Sequence, residues 1–160
     1  LMAIPNTLLG ISIVAALGPS ITNLIIAITI GSISGYARIT RVSVLSVKDM
    51  EYVEAAYATG ASDARIIWKY ILPSCLAPII VQATMSIATA IMTATGLSFL
   101  GLGVPAPTPE WGSMASAARS FFRDYWWLVT FPGLAIMASA FSFNLLGDGL
   151  RDALDPKLKR

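Results

Sequence analysis

Side chains able to act as nucleophiles, metal ligands or acid–base groups are scarce in these 160 residues. There is no histidine and a single cysteine, Cys75, so the chain cannot by itself assemble a zinc site, a Cys/His nucleophile pair or a disulfide. No catalytic, cofactor-binding or metal-ligating residue is assigned. No G-x-x-x-x-G-K-[ST] phosphate-binding run occurs, and Gly101-Leu102-Gly103 lacks the strand and helix context of a dinucleotide site. The eleven Lys and Arg residues are dispersed rather than set in an aromatic-interleaved stripe, which argues against a nucleic-acid partner. Two polar constellations remain. One is Glu54-Ala55-Ala56, followed after three residues by Gly60. Its small side chains leave a shallow profile that can seat in a groove, with one charge to fix register; an amphipathic hairpin lying on a membrane is the competing reading. The other is Gln82, Ser86, Thr89 and Thr93, spaced to share one helix face. These residues serve either close helix packing or a polar route through a bilayer. The apolar stretches carry no Asp, Glu, Lys or Arg, which counts against an ion-coupled pump within these residues.

The elements that must carry these residues are membrane helices. Hydrophobic residues make up 56% of the chain, charged residues 12%, and the mean hydropathy is +0.71, against about 45–50% and about 25% in an ordinary soluble protein. Every charge lies outside two long blocks, residues 1–37 and 74–109. Four apolar stretches read as spans: 1–18, 20–37, 74–97 and 126–147. At ~1.5 Å per residue the first two reach about 27 Å, barely a hydrocarbon core, and the last two about 36 and 33 Å. The segment 38–73 holds Arg38, Arg41, Lys48, Arg65 and Lys69, and the tail 148–160 holds Arg151, Lys157, Lys159 and Arg160. The segment 98–125 has only Arg119 and Arg123. The positive-inside rule then makes the first loop and the tail cytoplasmic and 98–125 external, with Tyr125, Trp126 and Trp127 in an interfacial aromatic belt. The N-terminus opens inside an apolar run without a charged leader region, so the chain reads as a piece of a longer protein rather than as one headed by a signal peptide.

Within the first loop the residue pattern predicts two short helices. Ser46 and Asp49 form a capping signature for a helix over about 47–59, with Val47, Met50, Val53 and Tyr57 as its apolar face. Gly60 is the expected stop. Ser62 is expected to cap a second helix with Asp63 in its first turn and Ile66, Ile67, Tyr70 and Ile71 as its apolar side. Leu72-Pro73 is expected to close the unit, Pro73 opening the next span.

The run Glu54-Ala55-Ala56, three residues, Gly60, then Ile71-Leu72-Pro73 resembles the EAA loop in the membrane subunits of bacterial and archaeal ABC importers. The stretches EYVEAAYATGASDARIIWKYILPSCLAPIIV, GLSFLGLGVPAPTPEWGSM and FNLLGDGLRDALDP resemble the peptide/nickel branch of that family, in particular its second permease subunit, over nearly the whole chain. One departure is that Ile71 abuts Leu72, Tyr70 taking the place where the looser motif has isoleucine. The resemblance implies an all-α membrane protein, a helical bundle of the type I ABC importer kind, of which this chain is the C-terminal part. It implies no enzyme activity in the chain and no cofactor. Partners implied are ATP-binding subunits, a second homologous permease subunit forming a heterodimer, an extracytoplasmic substrate-binding protein and the lipid bilayer of a bacterial or archaeal inner membrane. Glu54, Ala55, Ala56 and Gly60, with Asp63 beside them, are carried over as the contact to the ATPase, and Leu72 and Pro73 as the link to the next span.

Outside the loop, the proline run Val104–Pro109 is expected to be stiff and extended. Glu110-Trp111-Gly112, then Met114 to Phe122, are expected to form a short helix on the membrane surface, facing the binding protein or serving as a rigid surface loop. Pro78 and Pro132-Gly133 are expected to kink or loosen their helices. Asn144, Gly147, Asp148 and Gly149 are expected to end the last span, Asp148 capping a short amphipathic piece. The substrate stays open among dipeptides, oligopeptides, nickel and other small solutes. A membrane-embedded enzyme would need intramembrane acid–base or metal-binding groups, and a purely structural membrane protein would tolerate loss of residues 54–60.

Overall fold

The computed structural model describes residues 4–154, and every regular element among them is helical. In chain order they are α1 (Asn6–Leu17), α2 (Ile21–Val47), α3 (Glu51–Ala58), α4 (Asp63–Ile66), a π-helical turn (Ile67–Ile71), α5 (Leu72–Phe99), α6 (Trp111–Ala117), a 3-10 turn (Ala118–Phe121) and α7 (Trp127–Leu154). Leu1, the first residues of the expected first span, and Lys157, Lys159 and Arg160 of the tail lie outside the described residues.

Two continuous helices, Asp63–Phe99 of 37 residues and Trp127–Leu154 of 28, are long and apolar enough to cross a membrane. Only 11% of the most apolar window of each is buried within the chain, so they are not core helices of a soluble fold. Their outward Leu, Ile, Met and Phe side chains call for an apolar surrounding. The third expected stretch falls within the first of these helices, and the fourth, all but Trp126, within the second. The 12-residue α1 is apolar but shorter. The second stretch continues as helix far beyond residue 37, to Val47, taking in Arg38 and Arg41. The break expected there does not occur, because Arg38 and Arg41 are ordinary helix formers and no Pro or Gly interrupts the segment after Gly35. The described chain divides into two compact units, one gathering residues up to 34 with 86–145, the other 35–85 with residues from 146 on.

In the first unit the α1–α2 joint is made by Gly18 and Asn23. Gly18 takes φ 89° while its N–H donates to the Val14 carbonyl, and the Asn23 amide donates to the carbonyls of Leu17 and Gly18 at 3.0 and 2.9 Å. Gly10 of α1 faces the Leu97 side chain, where a Cβ would sit 3.2 Å away. Such small-residue contacts are how helices close on each other without a hydrophobic drive.

In the second unit α3 and α4 enclose the interior. Val53 and Ile66 are fully buried, with Val47, Ala56, Ile71 and Cys75 around them and Val44, Ala61, Tyr70 and Ile79 packed at the margin. The expected apolar faces are thus only partly correct: Met50 and Tyr57 are exposed, and so is Ile67. The helix expected over 47–59 is also shifted. Ser46 belongs to α2 and donates to the Ser43 carbonyl rather than capping α3, which begins after Met50 with no side-chain cap. Ser62 stands at the predicted N-cap but its hydroxyl makes no capping bond.

Pro73 does not open a new helix, since the one that begins at Asp63 runs straight through it. The π turn explains how. Leu72 N–H donates to the Ile67 carbonyl, five residues back, so the ladder is widened just before the ring that would otherwise press on the carbonyl four residues earlier. The same turn keeps Ile66 and Ile71 on one buried face at a five-residue spacing. Pro78 and Pro132 likewise lie inside continuous helices. So do Gly147 and Gly149, which do not end α7 as expected. Gly147 faces Met85 so closely that a Cβ would lie 2.7 Å from its Cγ, and this packing offsets the ~1 kcal/mol a helical glycine costs.

Replacing Ile66 by Ala is expected to cost about 2–4 kcal/mol locally. Hydrogen exchange of the α3 and α4 amides should accelerate, with the amides of α7 beyond Trp127 unchanged.

Candidate functional site

The densest set of predicted residues lies on α3, the turn after it and α4. Glu51 and Glu54 stand exposed in the first turn of α3, where carboxylates complement the positive end of the helix. Ala55 is exposed beside Glu54. Ala56 is not on the outward surface as the motif suggested: it is 5% exposed and packs with Val53 inside the unit. The reason is helical spacing, which puts residues three apart on one face, so the face bearing Glu54 and Ala55 turns away from the one bearing Val53 and Ala56.

Gly60 closes the helix with φ 78°. Its N–H donates to the Tyr57 carbonyl at 2.9 Å and that of Ala61 to the Ala56 carbonyl at 3.2 Å, the paired bonds of a Schellman stop. Thr59 adds a hydroxyl bond to the Ala56 carbonyl at 2.9 Å. The turn is therefore fixed by backbone bonds, leaving Tyr57, Ala58, Thr59 and Gly60 exposed on the surface. Asp63 is exposed in the first turn of α4, Leu72 is half-buried and Pro73 exposed. Tyr52 and Ser74 hydroxyls lie 3.0 Å apart and tie α3 to the start of α5, a link that apolar spacing could not disclose. Arg65, Trp68 and Lys69, also unassigned from sequence, stand exposed together on the adjoining helical segment.

The second constellation is only partly assembled. Thr89 and Thr93 line a cavity of about 330 Å³ in the first unit with Thr7, Ile11, Met92 and Leu97. Gln82 and Ser86 are half-buried and not part of its wall. The Thr93 hydroxyl donates to the Thr89 carbonyl at 2.9 Å, as Thr84 and Thr95 do to Ile80 and Ile91. Of these, only Thr93 lies in the cavity wall, and its hydroxyl is satisfied by its own helix; Ile11, Met92, Leu97 and Leu100 make the rest of the wall largely apolar.

Beyond α5, Gly101 at φ 80° makes a second Schellman stop, with Leu102 N–H on the Leu97 carbonyl. The proline segment is not extended as expected. It folds into a turn with the Thr108 N–H on the Pro105 carbonyl, and Ala106-Pro107 is cis. Three prolines remove three donors, so the segment satisfies itself by turning. Glu110 then caps α6, accepting from Gly112 and Ser113 N–H at 2.9 and 2.7 Å. The expected short helix begins at Trp111 and passes after Ala117 into a 3-10 turn. It is fastened to α5: a Cβ on Gly112 would overlap the Thr95 carbonyl, the Ser116 hydroxyl donates to the Phe99 carbonyl at 2.8 Å, and the Arg119 guanidinium lies 5.6 Å from the Phe99 ring centre. Ser98 is buried beneath this contact with its hydroxyl unpartnered.

Residues 1–160 match the family described as binding-protein-dependent transport system inner membrane component. The chain belongs to this family. This inner membrane component is 50% identical over 159 residues to the di/tripeptide transport system permease protein DppC of Pseudomonas aeruginosa. It is 52% identical over 159 residues to the dipeptide transport system permease protein DppC of Alkalihalophilus pseudofirmus, and 48% identical over 160 residues to that of Escherichia coli K12. The alignments cover 99–100% of this chain and 52–53% of those proteins. The inner membrane component thus spans about half the length of the curated relatives it matches. Its membrane helices accord with the family's location.

Two outcomes follow from the fastened α6. Gly112→Val should loosen it and expose the 104–121 segment to protease, whereas Ser98→Ala, which removes a buried hydroxyl lacking a partner, should leave thermal stability unchanged or raise it by up to about 1 kcal/mol.

Proposed function

We propose that this chain is the coupling half of a transmembrane permease in an ATP-driven importer of di- and oligopeptides. ATP hydrolysis belongs to a separate subunit, and a second permease subunit completes the pathway. The observation that carries this reading is a small rigid unit, α3 with its backbone-locked Gly60 turn, built directly onto the helix Asp63–Phe99. A surface so fixed can pass a push to a membrane helix without first yielding. Glu54, Ala55, Tyr57, Ala58 and Gly60 form the contact to the ATPase, flanked by Asp63, while buried Ala56 acts by packing. Leu72 and Pro73 lie in the segment through which the movement enters the span.

The chain crosses the membrane four times, with α1 and α2 as the first two passes. At 27 residues α2 reaches about 40 Å, more than the hydrocarbon thickness. Segment 38–73 and the C-terminus are cytoplasmic, and α6 faces the substrate-binding protein outside. Gln82, Ser86, Thr89 and Thr93 lie along the translocation pathway. The peptide reading rests on the names of the DppC relatives; nickel or another small solute is the alternative within the resemblance, and uptake assays with labelled dipeptide and nickel separate them.

Ala58→Cys, in the full-length permease with Cys75→Ser and no other cysteine, should form a disulfide to a cysteine in the ATP-binding subunit, with a yield that changes when ATP is added. A reagent-accessible thiol at this position that never cross-links while the ATPase is present would return α3 to a surface hairpin without a partner. Gly60→Pro, whose ring cannot take φ 78°, and Glu54→Lys should each reduce uptake at least ten-fold with normal membrane insertion; normal uptake in both would refute the coupling role.

A further inference from the structure

Trp68 is the most exposed large hydrophobic side chain among the described residues, at 71%, and its neighbour Ile67 is 51% exposed. Nothing in the family contact assigned to α3 accounts for them. Arg65 and Lys69 flank Trp68 at helical spacing, both exposed, and neither pairs with a carboxylate among the described residues. The π turn produces this surface. By carrying the buried face from Ile66 to Ile71, five residues on, it leaves Ile67, Trp68 and Lys69 together on the outer side. Along the helix Asp63–Phe99, Trp68 precedes Ser74, the first residue of the uncharged block, by roughly 9 Å at 1.5 Å per residue.

We propose that Arg65, Ile67, Trp68 and Lys69 form a binding strip for anionic phospholipid headgroups of the leaflet from which this helix emerges. The chemistry selects the occupant. An indole edge and two cations just outside an apolar span match the interface, where the ring rests between headgroups and acyl chains and the long basic side chains reach phosphate. A protein groove would have to desolvate both cations, and nothing among the described residues supplies their counter-charge. The acidic part of the same unit, Asp49, Glu51 and Glu54, lies on α3 and the turn before it, and would be repelled by such a leaflet. The unit therefore carries a basic, aromatic strip for lipid and an acidic surface for protein, and the strip sets the height at which the acidic surface is held. This rests on the membrane-permease reading but not on transport.

The test uses the full-length permease in bilayer discs of phosphatidylcholine, with an NBD fluorophore on Ile67→Cys as the single cysteine. Lipids carrying a nitroxide near the headgroup are added as phosphatidylglycerol or phosphatidylcholine at equal mole fraction. The strip predicts quenching by both and stronger quenching by the phosphatidylglycerol form, since each cation favours an anionic surface by roughly five-fold. Arg65→Gln with Lys69→Gln, both surface changes, should bring the ratio of the two towards one. Absence of quenching, equal quenching with both cations intact, or quenching abolished when the ATP-binding subunits are added would each overturn the proposal, the last by showing that protein covers the strip. The cross-link from the Ala58→Cys permease is read separately, so failure of one result does not decide the other.

Discussion

A backbone amide that enters hydrocarbon must find its hydrogen-bond partner within the chain, because the solvent offers none. Much of this molecule is a response to that condition. The described elements are all helical, and the hydroxyls of Ser12, Ser32, Thr84, Thr93, Thr95, Thr130 and Ser142 each donate to the carbonyl four residues before them. Four of the prolines, which break the ladder, sit where the loss is absorbed: Pro73 behind a π turn, Pro5 ahead of α1, Pro105 and Pro107 in a turn; Pro78 and Pro132 stand inside continuous helices. Helix ends are closed by backbone bonds around Gly60 and Gly101 and by the Asn23 amide, so few carbonyls are left open.

The same economy shapes the coupling unit. Its core is six buried residues, small for an independent domain, yet α3 cannot turn freely because the Tyr52–Ser74 contact and the Schellman stop hold it at both ends. Side-chain caps, which a solvated helix would use, are missing from α3 and α4. The surface offered to a partner is therefore largely determined by the main chain, and the side chains on it are free to be chosen for contact.

The membrane class, the two long apolar helices, the Gly60 stop and the Ser62 boundary are legible in the sequence because each follows from a local rule: a long uncharged run, a left-handed residue after a periodic segment, a small polar residue before one. The failures share a cause. A charge, a proline or a glycine pair reads as a helix end at Arg38, Pro73 and Gly147; the helix simply continues through the first, a π turn carries it past the second and packing against Met85 holds it at the third. Ala56 reads as outward because the motif names it, although its spacing from Val53 places it inside. The Glu110 cap escapes notice because Glu rarely fills that role. The fastening of α6 to α5 depends on contacts far apart in sequence, which no periodicity reports.

A π turn is an α-helix holding one residue more than it needs. That surplus makes chain length between Ile66 and Leu72 a specified quantity in its own right. Taking out one residue there would restore the regular ladder, bring Pro73 against the carbonyl it now avoids, and rotate everything before it by about 100° about the helix axis. Ile66 would leave the interior and the acidic turn of α3 would swing to another bearing, although every side chain of the contact surface was still present. The direction in which the unit faces is thus written in a residue count, and homologous chains that keep the contact residues but differ by one residue in this interval would point them elsewhere.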